Sequence, residues 1–302
     1  MATLAQWVAG ARPRTLPAAL SPVLVGVGAT VADVGRWSPV RAVLALVVAV
    51  ALQVGVNYAN DYADGIRGTD RERVGPVRLV GQGLARPRQV KAAALASFAV
   101  ACLAGLGLAA LSASWWLVAA GAACVLAAWG YTGGRSPYGY RGLGEVFVFV
   151  FFGLVATLGT QYTQYARALG SPHVTAAGFL GAIGVGALAC AILVANNLRD
   201  IPTDTLAGKH TLAVRLGDRG TRRLYVALVT AAALAVLGCA VVEGPRSALG
   251  LVAFALAARP LRALTTGATG RDLVPVLAGT GVLQLGYALL LTLGLTLTGP
   301  SA

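Results

Sequence analysis

The sequence predicts an all-α, polytopic membrane protein, a bundle of about nine transmembrane helices with its chemistry at the cytoplasmic edge. Three observations predict it. Of 302 residues, 57% are apolar and only 12% charged, whereas a soluble domain carries about a quarter charged residues. The apolar residues come in blocks of bilayer-crossing length, not in amphipathic stripes. The basic residues crowd alternate loops, as the positive-inside bias expects of cytoplasmic segments. Residues 1–302 read as a single domain.

The expected spans fall at 16–33, 40–58, 92–111, 114–131, 146–162, 174–195, 224–242, 248–264 and 273–297. Pro17 and Pro22 mark the first as bent or irregular. Arg259-Pro260 interrupts the eighth, which is expected to be short or kinked. With the N-terminus in the cytoplasm, that side holds 20 Lys and Arg, and the other holds only Arg36, Arg41, Arg167 and Arg246. The expectation is a multi-pass inner-membrane protein with a cytoplasmic N-terminus. The net charge of +13 then belongs to topology and to the lipid bilayer, with no nucleic acid implied. The opening segment lacks a short apolar core followed by a small-residue cleavage site, so no removable signal peptide is expected. Cys102, Cys124, Cys190 and Cys239 lie inside apolar runs and read as packing residues. His173 and His210 are too few and too far apart for a histidine metal site.

Two acidic clusters stand at span ends, where carboxylates are costly. In Asn57-Tyr58-Ala59-Asn60-Asp61-Tyr62-Ala63-Asp64, the residues Asn57, Asn60, Asp61 and Asp64 share one helical face. In Asn196-Asn197-Leu198-Arg199-Asp200-Ile201-Pro202-Thr203-Asp204, the residues Asn196, Asp200 and Asp204 do so only if the helix runs on through Pro202. Like charges gathered in this way are unfavourable without a cation. Mg²⁺ accepts one or two carboxylates together with phosphate oxygens. The expected arrangement is two Mg²⁺ ions, one per cluster, bridged by a diphosphate. Basic residues that suit phosphate follow each cluster: Arg67, Arg71, Arg73 and Arg78 in the first polar loop (59–91), Lys209 and Arg215 in the second (196–223), and Arg199 inside the second cluster. A third stretch, Tyr131-Thr132-Gly133-Gly134-Arg135-Ser136-Pro137-Tyr138-Gly139-Tyr140-Arg141, offers either contacts to an aromatic or anionic substrate or interfacial anchors. A transporter is the alternative of a different class. It predicts acids deep in the spans and open to both faces, and here they gather at one edge.

These motifs, over nearly the whole chain, resemble the UbiA superfamily of membrane prenyltransferases. Three stretches resemble its 1,4-dihydroxy-2-naphthoate branch: Asn60 to Asp64 with Gly68-Thr69-Asp70 and Val74-Gly75-Pro76-Val77-Arg78; Tyr131-Thr132 with Pro137 to Tyr140 and Gly142 to Glu145; and Asn196 to Asp200 with Gly208-Lys209 and Thr211-Leu212. The wider superfamily has another Asp where Gly68 stands here, with Asp70 following, so either Asp61 or Asp70 is left to join the first metal, and the same two are the candidates for a general base, if the naphtholate needs one. The resemblance implies Mg²⁺ held by Asn60, Asp64, Asp200 and Asp204, and a diphosphate held by Arg78, Arg135 and Lys209. It also implies a cavity lined by Asn57, Tyr131, Tyr138, Asn196 and Arg199. The substrates implied are a polyprenyl diphosphate and 1,4-dihydroxy-2-naphthoate, giving demethylmenaquinone, or another aromatic acceptor within the superfamily. The two polar loops are expected to cover the diphosphate.

Overall fold

A computed structural model describes residues 2–68, 77–134, 136–165 and 173–299. It is helical, with no strand among the described residues. A short surface helix α1 (Leu4–Gly10) precedes α2 (Pro17–Val34), α3 (Pro39–Arg67), α4 (Pro87–Leu111) and α5 (Trp116–Gly130). There follow α6 (Gly144–Gln164), α7 (Ala176–Leu206), α8 (Leu212–Glu243), α9 (Pro245–Thr265) and α10 (Gly270–Thr298). Eight of these, α2–α4 and α6–α10, are long and apolar enough to cross a membrane, and α5 is a shorter apolar helix. The expected nine segments are therefore all present, the fourth being short for a full crossing.

The prolines act differently from expectation at two points. Pro17 opens α2, where its missing N–H is not needed, and the helix continues through Pro22. In α9 the irregularity precedes Arg259-Pro260: residues Pro245–Ala257 wind as a 3₁₀ helix, and Pro260 sits in the first turn of the α-helix Ala258–Thr265. Both acidic clusters lie on helices longer than the apolar runs suggested. α3 extends through Asp64 to Arg67, and α7 passes Pro202 to end at Leu206. Much of each supposed polar loop is thus an ordered helical end. Continuity through Pro202 keeps Asn196, Asp200 and Asp204 in helical register.

α7 is the central element, and small residues let its neighbours approach. A Cβ added to Gly153 in α6 would stand 2.6 Å from the Gly186 Cα, so the two backbones touch. Such small-residue contacts substitute for the hydrophobic driving force that lipid removes. Buried hydroxyls and amides tie the bundle further. Tyr225 and Thr280 share a 2.7 Å hydrogen bond, and Gln284 Nε2 donates to the Val185 carbonyl at 3.3 Å. Cys190 and Cys239 are buried packing residues, and all four cysteines are free.

The helices enclose a chamber of about 1570 Å³. Its walls come chiefly from α2, α3, α5, α6 and α7, apolar through most of the depth and polar at one end. Part of α6, Phe149–Val155, widens into a π-helix, and Phe151, Phe152 and Val155 of that segment face the chamber. A π-turn often marks a functional wall.

The Gly153–Gly186 contact carries a prediction. Gly186→Leu must push α6 from α7, and overpacking of this kind costs about 1–3 kcal/mol or more. A lowered thermal midpoint in detergent is expected, and an unchanged midpoint would show that the contact is not limiting.

Candidate active site

Two carboxylates from distant parts of the chain meet at the polar end of the chamber. Asp64 belongs to α3 and Asp204 to α7, and the Lys209 ammonium lies 3.4 Å from Asp64 Oδ1 and 4.0 Å from Asp204 Oδ1. All three side chains are nearly inaccessible, at 6% for Lys209, 3% for Asp64 and 6% for Asp204. The local sequence explains the return of Lys209. Gly208 adopts φ 68°, the left-handed conformation that glycine tolerates best. That turn lets the Lys209 N–H donate to the Asp204 carbonyl at 2.8 Å and sends the side chain back over the helix end. Thr211 then caps α8 by accepting from the Val214 N–H.

The loop between α5 and α6 closes the junction from a third side. The Tyr140 hydroxyl donates to Asp64 Oδ1, and its ring lies 4.5 Å from the Lys209 ammonium, a cation–π contact. Thr132 Oγ1 donates to Asn60 Oδ1 at 2.6 Å. Arg67 donates to the carbonyls of Thr132 and Gly134 and stands 5.6 Å from the Tyr140 ring centre. Tyr140, Thr132 and Arg67 fall within stretches the sequence marks, but nothing in the pattern assigns them to Asp64 and Asn60. A Tyr beside Arg in a membrane-edge loop was the available signal, but the 3₁₀ turn Tyr138–Arg141 decides which ring reaches the carboxylate.

Of the expected residues, Asn57, Asn60, Asp64, Arg78, Tyr131, Tyr138, Asn196, Arg199, Asp204 and Lys209 line the chamber. Asn57 also has a scaffold role: its Nδ2 donates to the Ala11 carbonyl at 2.9 Å and to Thr15 Oγ1 at 3.1 Å, holding the N-terminal elbow. Tyr138 donates to the Ala127 carbonyl at 2.8 Å, and burial raises its phenol pKa.

Two expected residues are engaged away from the chamber. Asp61 does not face the chamber. Its Oδ2 accepts from the Leu79 N–H at 2.7 Å and its Oδ1 from the Val80 N–H at 3.1 Å. At about 100° per residue, Asp61 sits on one edge of the Asn57–Asn60–Asp64 stripe, the edge against which residues 79–80 pack. Its role is to hold the segment that carries Arg78. Asp200, expected among the metal ligands, is closed in a two-point pair with Arg199, at 2.7 Å and 2.8 Å, and does not line the chamber. Arg199 Nη2 also donates to Asn196 Oδ1 at 2.8 Å. Asp70 and Arg135 lie outside the described residues.

The donor set suits a hard cation. Asp64 and Asp204 offer carboxylate oxygens and Asn60 an amide oxygen, and an ammonium already stands between the two carboxylates. Among the described residues no three His, Cys, Asp or Glu side chains form a metal cage. Mg²⁺ takes one or two carboxylates and completes its shell with substrate phosphates and water.

Comparison with known proteins identifies the family and the fold. The UbiA prenyltransferase family matches residues 19–273. The 1,4-dihydroxy-2-naphthoate octaprenyltransferase of Mycobacterium tuberculosis is 56% identical over 290 residues, covering 96% of each chain. The fold is similar to the apo structure of a UbiA homolog from Aeropyrum pernix K1, with a TM-score of 0.67, 16% identity and coverage of 89% of this chain and 96% of that one. It is also similar to a UbiA homolog from Archaeoglobus fulgidus bound to GPP and Mg²⁺, with a TM-score of 0.62, 16% identity and coverage of 95% and 99%.

Asp61→Asn tests the scaffold assignment. One carboxylate oxygen becomes an NH₂ facing a backbone N–H, and a buried unsatisfied donor costs about 1–3 kcal/mol. Hydrogen exchange at the Leu79 and Val80 amides is expected to accelerate. Unchanged protection there would return Asp61 to the list of reacting groups.

Proposed function

Because the chain belongs to the UbiA prenyltransferase family, we propose that it transfers a polyprenyl group from polyprenyl diphosphate to 1,4-dihydroxy-2-naphthoate. The ring carboxylate leaves as CO₂, and the product is the quinol of demethylmenaquinone. One observation carries this reading: Asp64 and Asp204 converge on Lys209 at the mouth of an apolar chamber. A polyprenyl diphosphate has the matching shape, a long apolar tail behind a highly charged head.

Asn60, Asp64 and Asp204 hold Mg²⁺ in this proposal, with Asp200 available to a second ion. When bound, the metal neutralises the diphosphate and so favours its departure. Lys209 and Arg78 contribute donors to the same oxygens, and Arg135 joins them from the loop after α5. Such groups stabilise charge as it develops on the leaving diphosphate. Arg199 is held by Asp200, and a diphosphate competes with that carboxylate for the guanidinium. Were that pair to open, Asp200 would be the carboxylate left to hold a second ion. The apolar walls exclude water that would otherwise capture the allylic cation.

The ring forms a carbon–carbon bond to the prenyl group as the bond from prenyl carbon to diphosphate oxygen breaks. Loss of CO₂ from the ring carboxylate takes the place of a proton loss, so the balance requires no general base. This agrees with the commitment of Asp61 to backbone amides.

The same reading includes a membrane orientation. The loops that follow the two acidic clusters belong to the set of alternate loops holding 20 of the 24 Lys and Arg in the sequence, which supports a cytoplasmic N-terminus and site in the inner membrane.

Purified protein should be incubated with a polyprenyl diphosphate, 1,4-dihydroxy-2-naphthoate and Mg²⁺, and the product mass measured, with 4-hydroxybenzoate and homogentisate as rival acceptors. The decarboxylated prenyl naphthoquinol is expected, and EDTA is expected to abolish it. Asp64→Asn and Asp204→Asn should each lower turnover about 100-fold or more while the protein remains folded in detergent. Near-normal turnover in either variant, or preference for another acceptor, would overturn the assignment.

A further inference from the structure

A second polar feature of the chamber wall is not used by the diphosphate chemistry. Glu145, in the first turn of α6, is only 8% exposed. Its Oε1 accepts from Asn197 Nδ2 at 3.0 Å. Asn197 lines the chamber from α7, beside Asn196. A carboxylate kept at this depth in a membrane protein is costly, which makes it a candidate for function. Its chemistry also fixes its partner. A carboxylate only accepts hydrogen bonds, so the Asn197 NH₂ must face it and the amide oxygen must point the other way.

The neighbouring surface suits a flat ring. Tyr131, Tyr138, Phe147 and Phe151 all line the chamber. Their rings follow one another with centre separations of 5.5, 3.8 and 5.9 Å. The wall adjoins Glu145 directly: a methyl group on Gly144 would stand 3.5 Å from the Tyr131 hydroxyl and 3.4 Å from Leu193, one turn before Asn197. An aromatic acceptor stacked on this wall meets an amide carbonyl at its edge.

We infer that Glu145 is a positioning residue for the aromatic acceptor, acting through Asn197. It locks the amide so that Asn197 Oδ1 accepts a hydrogen bond from a ring hydroxyl, while the Tyr131–Phe151 wall supports the ring face. This rests on the prenyl transfer proposed above and adds to it the group that recognises a hydroxylated ring. A site built around such a bond discriminates strongly against analogues that lack the hydroxyl.

Glu145→Gln is the test. The glutamine amide can donate or accept, so it no longer dictates which way Asn197 faces, while size is retained. Separate kinetic constants should be measured for both substrates, together with binding of the naphthoate alone by fluorescence quenching. The KM and Kd for 1,4-dihydroxy-2-naphthoate are expected to rise about tenfold, with KM for the polyprenyl diphosphate within about twofold and the thermal midpoint unchanged. In the variant, the preference for the naphthoate over its O-methylated analogue should shrink. Asn197→Ala should reproduce the acceptor effect, and adding Glu145→Gln to it should worsen nothing. Unchanged acceptor constants, or equal losses for both substrates with a lowered midpoint, would overturn the inference. Wild-type protein that binds the naphthoate without transferring a prenyl group would instead overturn the proposed reaction, and the binding comparison would still decide the role of Glu145. Wild-type protein that does not bind it overturns both.

Discussion

Two carboxylates held within reach of one another need a positive charge between them, and the rest of the molecule follows from that need. In the resting protein the Lys209 ammonium supplies it, at 3.4 Å from Asp64 and 4.0 Å from Asp204. Nothing local brings these groups together. Asp64 and Asp204 lie 140 residues apart, on two helices linked at this point through Lys209. α3 and α7 must both run several residues past their apolar stretches to deliver them, and the Gly208 turn must fold Lys209 back on α7. Burial raises the cost of this concentrated charge, and it is offset by the pairing with Lys209 and by Tyr140, which serves Asp64 with its hydroxyl and Lys209 with its ring.

The chamber separates two kinds of work. Its polar mouth gathers charge and its deeper walls carry almost none. That division suits a substrate that is anionic at one end and oily at the other, and it places bond breaking at the boundary, where a neutral tail meets a charged head. Asp61 and Asp200 show how the mouth is kept in order. One carboxylate organises a backbone turn, the other holds a guanidinium, and neither opens onto the chamber. Carboxylates that look equivalent in a motif therefore do different work.

Most of the fold was legible in the sequence, because bilayer length and apolar blocks constrain a membrane chain strongly. The limits were informative. Apolarity marks where lipid ends, not where a helix ends, so the apolar runs close near 58 and 195 while α3 and α7 carry their acidic clusters on beyond them. Pro202 suggested a break, yet loss of one N–H did not outweigh the packing of α7 at the centre of the bundle. At the site, the pairing of the two acidic clusters was visible from their common Asn-x-x-x-Asp spacing and shared side of the membrane. What pattern could not supply was direction. Asp61 lies at the edge of its helical stripe, and only the position of residues 79–80 shows that it turns away. Glu145 stands in one of the quoted stretches, but its contact is to an asparagine 52 positions later, which no local pattern reveals.

The tight winding at the start of α9 has a consequence for reach. A 3₁₀ helix rises about 2.0 Å per residue against about 1.5 Å for an α-helix, so thirteen residues extend roughly 26 Å where α-helical winding would extend roughly 20 Å. The chain thereby crosses most of the hydrocarbon before Arg259 arrives. A segment that ordinary winding would leave too short, with a guanidinium stranded among lipid tails, instead delivers that charge near the headgroups.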